Sequence, residues 1–292
     1  MKLTAHSEYL PLHSVFLRPA SEAFRDRAKV VAQWQDLNYL SEPDMDRALR
    51  QYKTFETLIR ENAAEVYPMP GRDDLSLDAL YCRDASIATD FGMLLCRMGK
   101  AARHLEPDSH RELYESMGIP ILGAIEPPGT LEGGDVAWLD TQTLAVGHSY
   151  RTNPSGIEQL KGLLEPRGIE VIVAELPHFR GPSDVFHLMS ILSPVDRDLA
   201  VVYSPLMPIS FRNTLRDRGF GLVEVPEAEF DTLGSNVLAT APRRCLLARG
   251  NPRTEAALRQ AGCTVFTFEG SEISLKGGGG PTCLTRPWQR RR

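Results

Sequence analysis

Five times along this chain an amphipathic stretch runs into a helix-stopping residue and then directly into a β-rich segment. The five are TLIRENAAEVYPMP, LYESMGIPILGAI, LLEPRGIEVIVAEL, LRDRGFGLVEVP and LRQAGCTVFTFEG. The stops are Asn62, Gly118, Gly168, Gly219 and Gly262, where a left-handed residue can terminate a helix. They lie 56, 50, 51 and 43 residues apart, the length of one supersecondary unit. In the first unit Met45, Leu49, Tyr52, Phe55 and Ile59 share one helical face, with Ser41 and Asp44 supplying a cap.

A second regularity rides on the first. Counting forward from each stop, a chemically usable residue stands in the loop after the strand: Asp84 (22 on), Glu132 (14 on), His187 (19 on), Asn236 (17 on) and Cys283 (21 on). Two acids, a histidine, an amide and a thiol thus occupy equivalent positions. Units arranged about a pseudo-fivefold axis would bring these loops together at one end of it. The expected fold is α/β, a five-bladed pseudo-symmetric propeller of ββαβ repeats in which each blade contributes one residue to a common site.

Composition narrows the partners. The chain has 292 residues, 42% of them hydrophobic, enough to bury a large core without metals or disulfides. No Ser/Gly/Pro-rich linker divides it, so residues 1–292 are read as a single domain. Thirty-three basic residues against 38 acidic ones give a net charge of −5, no reason to expect nucleic acid or an anionic membrane as partner. No stretch approaches the ~18 apolar residues of a spanning helix, and MKLTAHSEYL has no apolar core of a secretory leader. Cys82, Cys96, Cys245, Cys263 and Cys283 are widely spaced with no CxxC, and no HExxH occurs. Neither a disulfide framework nor a zinc site is expected, and a cytoplasmic setting fits. The basic WQRRR segment reads as a solvated tail.

Cys283 sits in SLKGGGGPTCLTRPW, whose glycines free backbone N–H groups and allow close approach of a ligand. The other four cysteines stand among apolar neighbours and read as buried small hydrophobes. His187, in SDVFHLMSIL, is the natural acid/base partner for a thiol nucleophile. Glu132, in PGTLEGGDVAWLD, and Asp78 and Asp84, in SLDALYCRDASIATD, add carboxylates. Acids facing one cavity repel each other unless a cation lies between them, which implies a cationic ligand. Arg103 and Arg151 are candidates to hold a carboxylate in a guanidinium fork.

With these residues assembled, the chain resembles the guanidine-modifying superfamily known as penteins. Its members include dimethylarginine dimethylaminohydrolases, arginine deiminases and glycine amidinotransferases. The resemblance runs from about Asp78 to Cys283 through LYCRD, LEGGDV, SYRTN, FHLMS and GGGGPTC, in the family's order. It implies the same five-bladed fold, with Cys283 as nucleophile, His187 as general acid/base and Glu132 holding His187 and the substrate nitrogens. It also implies Asp84 at the guanidinium, Asp78 near the amino-acid end, and Arg103 and Arg151 at the α-carboxylate. Arg83 makes an RD pair as in deiminases and transferases, whereas Met189 replaces the aspartate those enzymes usually carry. The activity expected is that of a hydrolase of arginine or an Nω-substituted arginine, most like dimethylarginine dimethylaminohydrolase. An amidinotransferase, an arginine deiminase and a binding protein on the same propeller are the alternatives. The resemblance implies a small guanidino substrate and no cofactor or metal, and it is compatible with a homo-oligomer.

Overall fold

The repeat becomes five small sheets in the computed structural model, which describes residues 2–292. The first contains β1 (Leu3–Thr4), β2 (Leu12–Leu17) and β3 (Glu65–Pro68). The second comprises β4 (Ser86–Thr89), β5 (Gly92–Leu95) and β6 (Ile121–Ala124), and the third β7 (Val136–Trp138), β8 (Thr143–His148) and β9 (Glu170–Glu175). The fourth holds β10 (Leu192–Asp196), β11 (Leu199–Val202) and β12 (Gly221–Glu224). The fifth holds β13 (Leu238–Ala241), β14 (Arg244–Ala248) and β15 (Thr264–Phe268). In sheets two to five an antiparallel hairpin is followed by a helix that returns the chain parallel to the second strand. Those helices are Glu106–Ser116, Pro154–Leu164, Ile209–Asp217 and Pro252–Gln260. The parallel return is why each unit needs a crossover of this length.

The remaining strand, β16 (Arg286–Arg291), pairs antiparallel with β2 and so takes the place that the first strand holds in every other sheet. With the helix Met45–Arg60 between β2 and β3, the first blade is thereby completed, and the five blades form an α/β propeller. This overturns the solvated-tail reading of WQRRR. Arginine carries an apolar stem and many donors, and Arg290 is 1% exposed with its Nη1 donating to the carbonyls of Leu10 and Ala239.

The helix stops divide by mechanism. Gly118, Gly168, Gly219 and Gly262 have φ of +68°, +80°, +87° and +83°, the left-handed stop expected. Asn62 is not left-handed; its Nδ2 instead donates to the Leu58 carbonyl at 2.7 Å, satisfying an orphan acceptor of the last turn. At the other end of that helix Asp44 accepts from the Arg47 amide at 2.9 Å.

Packing follows the patterns. Tyr52, Phe55 and Ile59 bury against Val15, Leu17 and Phe268, while Leu160 and Leu164 bury against Leu144 and Val146. Each such side chain contributes about 1.5–3 kcal/mol on removal from water. The strands β4 and β7 are buried throughout, as inner strands of a ring must be. Asp84, Glu132, His187, Asn236 and Cys283 stand two to five residues ahead of β4, β7, β10, β13 and β16, one before the first strand of each blade. Among the described residues no helix is long and apolar enough to cross a membrane.

Candidate active site

The five loop residues meet. Carboxylate and imidazole atoms of Asp84, Glu132 and His187 lie within 4.8 Å of one another. Asn236 donates from Nδ2 to Cys283 Sγ at 3.3 Å, and its Oδ1 accepts from the amide and hydroxyl of Thr282 at 3.0 and 2.8 Å, which fixes the orientation of the side-chain amide. His187, Asn236, Cys283 and Gly134 line one cavity of about 280 Å³. A side chain at Gly134 would put its Cβ 2.5 Å from His187 Nδ1 and 2.7 Å from Asp84 Oδ1. The space between base and acid exists because that residue has no Cβ.

Charge is arranged closely around this space. Glu132 Oε2 lies 2.8 Å from His187 Nε2, both groups being buried. Burial works against a charged imidazole, yet Asp135, the bond to Glu132 and the charge of Asp84 overcome it and raise the His187 pKa to about 9. Burial also opposes ionisation of Glu132. The hydrogen bond and charge of His187, aided by Arg151 and Arg103, hold it well below the usual carboxylate range. At neutral pH the proton therefore sits on the imidazole. Asp135 accepts from the Leu188 amide at 2.9 Å and from Ser149 Oγ at 2.6 Å, anchoring the backbone that carries His187. The Cys283 thiol is pushed up by burial and by Asp84, against the donors of Asn236 and Thr282. A cation placed between Asp84 and the sulfur would reverse that balance. Asp84 accepts from Arg103 Nη1 at 2.6 Å through Oδ2, while its Oδ1 is buried with no hydrogen-bond partner.

The family model described as arginine deiminase matches residues 51–215 and 208–290. The chain belongs to the arginine deiminase family. It is accordingly a member of the guanidine-modifying pentein superfamily. The uncharacterised protein YkgA of Bacillus subtilis is 27% identical over 287 residues, 98% of this chain and 95% of that one. The N(G),N(G)-dimethylarginine dimethylaminohydrolase of Pseudomonas aeruginosa is 25% identical over 248 residues, 85% of this chain and 91% of that one. A solved structure of that enzyme, a mutant complexed with citrulline, superposes with a TM-score of 0.78 at 21% identity, covering 95% and 100% of the two chains. SxtG, an amidinotransferase from Microseira wollei, gives 0.81 at 15% identity over 99% and 98%. These structures share the propeller.

Within this family member the remaining site residues separate into two groups. Asp78, Asp84, Lys100, Arg103, Arg151, His187 and Cys283 line a narrow pocket of about 20 Å³ adjoining the larger cavity. Asp78 Oδ2 takes Lys100 Nζ at 2.6 Å. Arg103, expected as an open carboxylate fork, is closed: Nε and Nη2 each bond Glu106 at 2.8 Å, Nη2 also donates to the Tyr81 carbonyl, and Nη1 holds Asp84. A guanidinium so engaged has little left for a substrate carboxylate. Arg151 is held loosely, 3.5 Å from both Glu132 oxygens and from the Asp184 carbonyl. The acids expected to need a ligand cation already face Lys100, Arg103, Arg151 and His187. A metal ion at Asp84, Glu132 and His187 would have to displace the imidazole proton and break the His187–Glu132 hydrogen bond. Lys100 and Glu106 went unrecognised in the sequence, where nothing distinguishes them from solvated charges. Cys283 is half-buried, whereas the other four cysteines are buried.

Proposed function

We propose that this chain is a cysteine hydrolase acting at the guanidinium carbon of arginine or an Nω-substituted arginine, most like a dimethylarginine dimethylaminohydrolase. The observation that carries this reading is the buried, unpartnered Asp84 Oδ1 in the same site as Cys283 and a protonated His187. An acceptor without a donor is costly unless a ligand N–H completes it. A guanidinium seated there also brings the positive charge that lowers the thiol pKa. Residues 1–292 then act as a single catalytic domain, since each blade supplies one residue of the site.

In this reading Cys283 loses its thiol proton to solvent as the guanidinium binds, and the thiolate forms an S–C bond to the guanidinium carbon. The C–N bond to the leaving amine breaks as that nitrogen takes the proton from His187, because an amide-like anion does not leave unaided. Water then adds to the carbon of the thiouronium, giving a proton to the imidazole. The C–S bond then breaks as the adduct's remaining O–H proton passes to the departing sulfur, releasing the ureido product and restoring the thiol. Glu132, bonded to His187 Nε2, favours the charged imidazole before the first step and its return to that form after the second. Met189, buried and lining the larger cavity beside His187, leaves an apolar wall that suits an N-alkyl group.

The same cavity supports a second reading, in which an amine replaces water and the enzyme is an amidinotransferase. Mass-spectrometric product analysis separates them. The purified protein is incubated with asymmetric dimethylarginine or with arginine, each with and without glycine. Citrulline plus dimethylamine supports the leading reading, and citrulline plus ammonia from arginine alone makes it a deiminase. Ornithine with guanidinoacetate makes it a transferase. If no turnover is seen and an amidine electrophile labels all five cysteines evenly, or none, a binding role on the same propeller replaces catalysis.

A further inference from the structure

Behind Asp84 the charge pattern inverts. Arg83, Arg286 and Arg290 are 1%, 4% and 1% exposed. One carboxylate answers them: Glu8 Oε1 accepts from Arg83 Nη2 at 2.7 Å and from the Trp138 amide at 3.3 Å. Arg286 donates through Nη1 to the carbonyls of Arg83 and Ser86 at 3.4 and 2.9 Å and through Nε to that of Pro287 at 3.3 Å. Arg290 Nη1 reaches the carbonyls of Leu10 and Ala239. Four guanidinium nitrogens remain buried without a partner: Nε and Nη1 of Arg83, and Nε and Nη2 of Arg290.

We infer that this cluster, set among the inner strands of the propeller, binds a small monovalent inorganic anion of chloride size between Arg83, Arg286 and Arg290. Guanidinium groups keep their protons at neutral pH, so the cluster carries two positive charges more than Glu8 balances. Burial, with repulsion from the neighbouring arginines, moves Arg286 and Arg290 down to about 10, which still leaves both charged. Glu8 is the carboxylate whose charge offsets the burial of Arg290. Water could satisfy the donors but not the charge, and an unpaired buried charge is among the most destabilising features a core can hold. An anion supplies both acceptor and charge. The unpartnered nitrogens are sealed from solvent, which favours a single-atom ion over phosphate or a carboxylate.

The test is a bromide titration of the full chain in gluconate buffer at fixed ionic strength, following the unfolding temperature. Saturable stabilisation of about 4 °C is expected for the wild-type protein. Arg290→Leu should abolish the response, and Glu8→Gln should lower the half-saturating bromide concentration by roughly ten-fold, since one buried charge opposing the anion is gone. Should Arg290→Leu not fold, crystals of the wild-type protein grown in bromide provide the second measurement. An anomalous peak within bonding reach of the free nitrogens of Arg83 and Arg290 supports the site. No bromide response, an equal response in a folded Arg290→Leu, or density there without anomalous signal overturns it.

Discussion

Arg83 and Asp84 are adjacent in the chain and enter opposite electrostatic worlds. Asp84 joins Asp78, Glu106, Glu132 and Asp135, a set of carboxylates supplied with Lys100, Arg103, Arg151 and a protonated His187. Arg83 joins two further arginines that share one glutamate. At the first locus the unfilled position is an acceptor, Asp84 Oδ1; at the second the unfilled positions are all donors. The kind of atom left over is the ground for both proposals: an N–H-bearing cation at one locus, an anion at the other.

Four experiments sharpen or break that contrast. The largest effect is expected for Cys283→Ser, which should reduce turnover by at least about 10³-fold while moving the unfolding temperature by no more than about 2 °C. Its bromide response should equal that of the wild-type protein; retention of a tenth of the activity removes Cys283 from the nucleophile role. Next, Arg103→Ala should destabilise the fold by about 3–5 kcal/mol in urea unfolding, because Glu106 and Asp84 are left buried without their cation. Arg151→Ala, whose contacts are long, should cost markedly less stability, and equal losses would contradict the closed and loose assignments.

The third concerns pH. His187 is raised above its ordinary 6.5 in the folded state, so its contribution to stability is complete below pH 6.5 and disappears as pH rises through about 9. Glu132 is depressed, so its contribution is present above the ordinary carboxylate range and is lost in acid. Wild-type unfolding free energy should fall by up to about 3 kcal/mol between pH 6.5 and 9. In Glu132→Gln the slope should flatten, and an unchanged slope would detach the pH response from this pair. The smallest effect is on selectivity. Arg151→Ala should raise KM for arginine-type substrates roughly ten-fold more than KM for agmatine, which lacks the carboxylate. Equal shifts would leave the α-carboxylate without a partner here.

The convergence of the candidate site is legible in sequence because the repeat supplies a counting frame: Asp84, Glu132, His187, Asn236 and Cys283 all stand in equivalent loops. What each side chain does there was less legible. Arg103 reads as a free fork in one dimension, and only the fold places Glu106 and Asp84 around it. The charge on His187 depends on Asp135, whose anchoring role needs the backbone of Leu188 to be visible. Asn62 ends its helix by a side-chain bond that mimics the glycine stops in position but not in geometry. The basic segment near Arg290 reads as solvated because local composition favours water, whereas pairing with β2, distant in sequence, favours burial.

Ring closure through β16 has a consequence for biosynthesis. A chain emerging from the ribosome can complete blades two to five in order, but the first blade stays a strand short until Arg286–Arg291 appears. Cys283 lies three residues ahead of that strand and emerges with it. The sulfur and the latch are thus delivered together, so a nascent chain holding the other four loop residues would still lack both the proposed nucleophile and a closed ring. Cutting the chain in an exposed loop between two later blades and joining the present termini should shift which blade is completed last.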